Sequence, residues 1–243
     1  MTALAPPPGR TQDQDRLYDL LSQLSERIGG PRLLAESTGR DLWPSHGVYF
    51  FYEAGEQRAN GKPRVVRVGT HALTTTSRTT LWQRLSQHRG QMAGRHPGGG
   101  NHRGSVFRLH VGVAIIRRDG CADALLRSWL ASSADPAWRE EEHLIEQAVS
   151  TVIRNMTVSC LPVPTRSDGT SDRGLIERGA IALLSGPAGV GDQPSPGWLG
   201  AASPDRRIRD AGVWNINHVK ERYDPAALDR IAHYVARLAQ ANH

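Results

Sequence analysis

Cysteine, lysine and long apolar runs are nearly absent from the 243 residues, and each shortage excludes something. The two cysteines, Cys121 and Cys160, lie far apart and outside any CxxC or Cys/His ligand spacing, which excludes a disulfide framework and argues against a structural zinc. Such sparse cysteine usage fits a reducing cytoplasm, the expected location. No apolar run approaches the roughly 18 to 20 residues that span a bilayer, and Pro6, Pro7 and Pro8 stand where a signal peptide needs an apolar stretch. The expectation is a soluble protein with no membrane partner. Several enzyme classes are also missing their marks: there is no HExxH, no GxSxG elbow and no dinucleotide fingerprint. Neither Lys62 nor Lys220 has an acidic residue two places before it, so a PD-(D/E)xK centre is unsupported. The glycine-rich stretches 98–104 and 186–191 both lack the lysine that closes a P-loop.

What is abundant is arginine. Thirty Lys+Arg face 24 Asp+Glu, giving a formal charge of +6, and only two of the thirty are lysine, leaving 28 arginines. A balance this basic favours a polyanionic partner, and the planar guanidinium suits bidentate contact with phosphate. A GC-rich coding bias produces the same excess, so arginine usage alone does not identify the partner.

Periodicity divides the chain. Leu17, Leu20, Leu21, Leu24 and Ile28 follow the helical repeat over 14–28, ended by Gly29-Gly30-Pro31. A second short helical stretch is expected around 31–37. The runs 47–53 and 64–69 read as strands, and Asn60-Gly61 between them predicts an antiparallel hairpin. A helix over 79–89 follows, then a loop of Gly, His and Arg over 90–104. Alternating apolar residues from Phe107 to Ile115 predict a third strand over 106–116. Helices are expected at 122–131, 139–154, 173–185, 204–210 and 225–240, with a short strand at 157–163.

Two helices carry ionisable groups on their apolar faces. In 79–89, His88 points within the arc of Leu81 and Leu85, and Arg84 stands one turn below it at the arc's edge. Either a snorkelling arginine and a core histidine account for this, or a functional pair does. In 173–185, Glu177 interrupts the stripe of Ala180, Ile181 and Leu184. A carboxylate so placed needs a cation, a metal or several donors. Glu142 and Glu146 form a competing pair, on a helix whose acidic start also suits a solvated first turn. Tyr49 and Arg67 are expected as neighbours on the paired strands, with His71 in the turn beyond. Asn217-His218 faintly suggests an HNH element without its companions.

Taken in order, these pieces resemble the GIY-YIG nuclease family. Gly47-Val48-Tyr49 stands for the first motif and Arg67-Val68-Gly69 for the second; Arg84 and His88 follow on a helix, Glu177 on a later one, and then Trp214-Asn215. The resemblance covers about residues 45–217. It implies an α/β domain with a small, central, mainly antiparallel three-stranded sheet flanked by helices. Residues 1–12 would then be a flexible tail, 13–44 an N-terminal helical segment, 45–217 the nuclease-like domain and 218–243 a C-terminal helix packed on it.

The same resemblance implies hydrolysis of DNA phosphodiesters, with RNA not excluded, and a single Mg²⁺ or Mn²⁺ held by Glu177. Arg84 would grip the phosphate, and Tyr49 would act as general base or orient the water. His71 or His88 would assist the proton's departure, and Asn215 would support the site. Arg67, Arg95, His102, Arg103 and Arg108 are the expected nucleic-acid contacts. Restriction-like use implies a homodimer, since two-fold symmetry matches a duplex. One departure matters: Arg67 stands where the family usually has tyrosine. It could bind phosphate, or it could pair with Glu177 in an inactive, nucleic-acid-binding relative.

Overall fold

The computed structural model describes residues 9–74, 76–93, 96–165, 168–185 and 192–240. Its centre is one four-stranded antiparallel sheet: β1 (Arg32–Leu33), β2 (Gly47–Gln57), β3 (Pro63–Gly69) and β4 (Thr157–Pro162), in the order β1-β4-β2-β3. The fold class agrees with expectation, with four strands in place of three.

Both sheet faces are covered, because successive residues of β2 are apolar and point to opposite sides. Val48, Phe50 and Tyr52 pack under helices α1 (Arg10–Ile28), α6 (Arg173–Leu184) and α8 (Ala226–Gln240). Tyr49 and Phe51 pack under α2 (Leu81–Arg89), α3 (Val106–Arg118), α4 (Asp123–Leu130) and α5 (Arg139–Arg154). The short helix α7 (Arg206–Ala211) adds Ile208 to this second core.

Three expectations are corrected. Residues 106–116 form α3, not a strand. Ser105 caps the helix, its Oγ accepting from the Arg108 amide at 3.3 Å. Phe107, Val111, Ala114 and Ile115 then follow the helical period into the core, while Val113 and Ile116 are buried on other sides. A helix covered on most sides gives an apolar pattern that also satisfies a period of two. The strand beside β2 is β4 instead. Around 31–37 there is no helix: Arg32 and Leu33 pair with Val158 and Thr157 at the sheet edge. Helix α1 begins at Arg10, inside the stretch expected to be tail; residues 1–8 of that stretch lie outside the described residues.

A bulge shapes the site. Phe51 pairs with Arg67 and Tyr52 with Val65, leaving Val66 as the extra residue. Among the described residues, no helix is long and apolar enough to cross a membrane.

Candidate active site

The glycines of the two tripeptides are there for close approach. A Cβ on Gly47 would stand 2.4 Å from the Leu161 carbonyl oxygen of β4, and one on Gly69 would stand 2.3 Å from the Tyr49 hydroxyl. Tyr49 and Gly69 face each other across the β2–β3 ladder, so the outer edge of the ring and its hydroxyl lie over the bare glycine that ends β3.

That hydroxyl lies 3.0 Å from His88 Nε2, and His88 Nδ1 lies 2.9 Å from Ser105 Oγ. Helix α2 presents His88 because a capping box, Thr80 with Gln83, fixes its first turn and Leu81 and Leu85 bury the same face. His88 has no solvent exposure. Burial first, then the charges of Arg67, Arg84 and Arg108, push its pKa well below the usual histidine value, so the ring is neutral. A neutral ring donates from one nitrogen and accepts at the other, which makes Ser105, His88 and Tyr49 one hydrogen-bonded chain.

Arg67 sits on the same sheet face. Its Nη1 donates to the Trp214 carbonyl at 2.7 Å, and its guanidinium lies 4.6 Å from the centre of the Phe107 ring. Its charge acts on both the Tyr49 hydroxyl and Glu177, yet its guanidinium is held by the Trp214 carbonyl and makes no ion pair with Glu177. The pairing weighed from the sequence is therefore not made.

Glu177 reaches the site from the opposite face, on α6. Oε1 accepts the Thr70 amide at 3.2 Å, just beyond Gly69. Among the described residues Glu177 has no ion-pair partner. Burial raises its pKa, opposed by the charges of Arg67 and His218, the Thr70 amide and Arg84. Arg84 is half-buried and also without a carboxylate partner among the described residues; Nη1 donates to Gln87 Oε1 at 3.0 Å, and its charge is felt at Arg67, His71, His88 and Glu177. His71 donates Nε2–H to the Ser45 carbonyl at 3.2 Å and stacks on His46, leaving Nδ1 buried and unpartnered. Burial pushes its pKa down to about 4, so that nitrogen carries a lone pair.

Asn215 is close but acts on the strand. Its Oδ1 accepts from the Val68 amide at 3.1 Å and its Nδ2 donates to the Val68 carbonyl at 2.8 Å, while the Trp214 amide donates to Val66. Residues 214 and 215 thus satisfy the outer edge of β3 where Arg67 and Gly69 must be held.

The loop residues expected to contact nucleic acid are turned inward. Arg108 is fully buried: Nε and Nη2 donate to the Glu146 carboxylate, Nη1 to the His88 carbonyl and Nη2 also to Ser150. His102 donates Nε2–H to the Trp129 carbonyl, places Nδ1 2.8 Å from Glu146 and stacks on Trp129. Arg103 grips Glu142 with two bonds and donates to the carbonyls of Ser128 and Ala131. The three expected nucleic-acid contacts are thus engaged within the protein: the carboxylates of α5, expected as a solvated first turn or a rival site, are their counter-ions. Burial pushes Glu142 and Glu146 up, but the bonds from Arg103 and Ser128 and from His102 and Arg108 hold both below the usual carboxylate range. Arg95 and the stretch 186–191 lie outside the described residues.

Ser105 and the Thr70 amide also belong to the cluster, though neither stands out in the sequence as a site group. The signal for Ser105 was its capping position, hidden by assigning the next residues to a strand. Among the described residues no three or more of His, Cys, Asp and Glu are grouped to hold a metal. A hard cation with one carboxylate and otherwise water and phosphate oxygens fits Glu177, whose Oε2 has no protein partner among them.

A buried Tyr–His pair, together with an arginine and a carboxylate that have no ion-pair partner among the described residues, gathers at the end of an antiparallel hairpin. The model of the GIY-YIG domain matches residues 8–241, and the chain belongs to this family. The match takes in every element from α1 to α8. No curated protein and no solved structure matches the chain.

Proposed function

We propose that the protein is a metal-dependent endonuclease that hydrolyses DNA phosphodiester bonds. The observation that carries this is Glu177: a largely buried carboxylate with no ion-pair partner among the described residues, within the field of Arg84, which has none among them either. In a chain with 28 arginines, a structural carboxylate would be expected to be paired, as Glu142 and Glu146 are.

Glu177 would hold one Mg²⁺ or Mn²⁺, which when bound stabilises charge on the phosphate and the leaving oxygen. Arg84 binds the same phosphate through its free guanidinium edge. Tyr49 takes up or orients the proton of the attacking water, with neutral His88 behind it as the next acceptor in the chain. Arg67, standing where the family usually has a second tyrosine, lies on the same sheet face as Tyr49 and is held there by the Trp214 carbonyl. Asn215 keeps the strand carrying Arg67 in register.

The rival is a catalytically inactive binding protein, favoured by the 1% exposure of Tyr49. Incubating the protein with supercoiled plasmid in Mg²⁺ or Mn²⁺, beside EDTA, Glu177→Ala and Arg84→Ala, separates the two. Cutting that requires metal and both side chains supports the nuclease. Retarded but uncut plasmid at every sequence offered supports the binding protein.

A further inference from the structure

Three residues past Asn215 the chain turns back over α6, and the turn carries a histidine with no part in the cluster described so far. His218 has φ of 65°, in the left-handed region that a residue with a Cβ rarely adopts and that persists only where its surroundings enforce it. Its Nδ1 lies 2.8 Å from Glu221 Oε1, and Glu221 Oε2 accepts from Arg178 Nε at 2.7 Å. Arg178 follows Glu177 on α6, so this relay is anchored one residue from the carboxylate of the site, and the charge of His218 is felt at Glu177. A carboxylate only accepts, so Nδ1 is the donor to Glu221, and Nε2 is left without a protein partner among the described residues. His218 is half-exposed, which leaves that nitrogen within reach of a ligand.

We propose that His218 is the general acid of the cleavage reaction, a role that presupposes the nuclease function above. The placement gives the reason. Tyr49 and its partner His88 lie on the sheet face covered by α2 and α3, while Glu177 is on α6, which packs on the other face, and His218 is tied to α6 through Glu221 and Arg178. A proton acceptor and a proton donor on opposite sides suit an in-line displacement. The water oxygen bonds to phosphorus and yields its proton on the Tyr49 side. The bond from phosphorus to the leaving sugar oxygen breaks, its electron pair goes to that oxygen, and the oxygen takes the proton from His218 Nε2. Glu221 holds the ring in place through Nδ1, and His218 regains its proton from water.

The test uses His218→Gly, because glycine adopts φ of 65° without strain and the fold should be retained. Two DNA substrates are compared in single turnover, one ordinary and one with sulfur at the bridging position of the leaving oxygen. The variant should cut ordinary DNA roughly a hundredfold more slowly than the parent, and the sulfur substrate within about threefold of it, since a thiolate leaves without a proton. Added imidazole should restore cutting of ordinary DNA. Equal slowing on both substrates without imidazole rescue would mean a structural role and overturn the proposal, as would no slowing. A parent that cuts neither substrate, in the way Glu177→Ala is expected to fail, would overturn the nuclease function itself and this role with it.

Discussion

The Tyr49 hydroxyl and His88 Nε2 lie 3.0 Å apart, with Gly69 against the tyrosine ring and Phe107 beside the imidazole, and His88 Nε2 has the hydroxyl as its buried polar partner. Tyr49→Phe keeps the ring packing and leaves His88 Nε2 with no partner. Stability should fall by about 1–3 kcal/mol, read by urea titration. Cutting should fall by about a hundredfold or more in the same preparation. A variant as stable as the parent would show that the hydrogen bond is not made in solution.

Gly69→Ala tests the close approach directly. A methyl group there would stand 2.3 to 2.6 Å from three atoms of the Tyr49 side chain, so the ring must swing away or β3 must shift. Overpacking of this kind costs about 1–3 kcal/mol. The variant should bind DNA with little change and cut it poorly, because Arg84 and Glu177 are untouched while the hydroxyl is displaced. Thermal unfolding and gel retardation on the same sample check both halves.

The raised pKa of Glu177 fixes a sign. Burial is its leading cause, so the folded protein binds this proton more tightly than the unfolded chain does. Ionisation therefore subtracts stability as pH rises from the ordinary value of 4.5 through the raised one. Glu177→Gln should unfold at a higher temperature than the parent at neutral pH, with the difference closing as pH falls below that window. Mg²⁺ should raise the parent's midpoint and leave that of the variant unmoved, since ligation of the native state alone is stabilising. Equal metal shifts in the two proteins would place the ion elsewhere.

Arg108 and Glu146 make the opposite case. Arg108→Met leaves a buried carboxylate without its guanidinium, and breaking a buried pair in this way costs about 3–5 kcal/mol. In the parent, Glu146 is held below the ordinary carboxylate value despite its burial, so its contribution is present above that value and is lost as pH falls through the lowered one. Acid unfolding of the parent should begin in that window, read by circular dichroism. Variants here are expected to change stability, not the salt dependence of DNA binding. A reduced salt slope with an unchanged midpoint would return Arg108 to the nucleic-acid surface.

The hairpin, α2 and α6 were legible because each has a local cause: Asn60-Gly61 turns the chain, Thr80 and Gln83 cap one helix, and Glu177 stands out on an apolar stripe. Helix α3 was not, because burial on most sides removes the polar face that separates a period of 3.6 from a period of two. The inward turn of Arg103 and Arg108 was hidden for a related reason: their counter-ions on α5 lie 39 and 38 residues away. Charge content alone does not distinguish an arginine that meets a phosphate from one that meets a glutamate.

By itself, the sequence determined the order of most elements, the two glycine-bearing strands, and which ionisable groups would stand on apolar faces; these follow from backbone geometry and side-chain period over a few residues. Only the tertiary structure decided which of those groups are paired. Glu142 and Glu146 found guanidinium groups within reach, whereas Arg67 turned to the Trp214 carbonyl and left Glu177 without an ion-pair partner among the described residues. That outcome depends on distances of a few ångströms between elements far apart in the chain, where the cost of burying a charge is settled by whichever neighbour packing brings into contact.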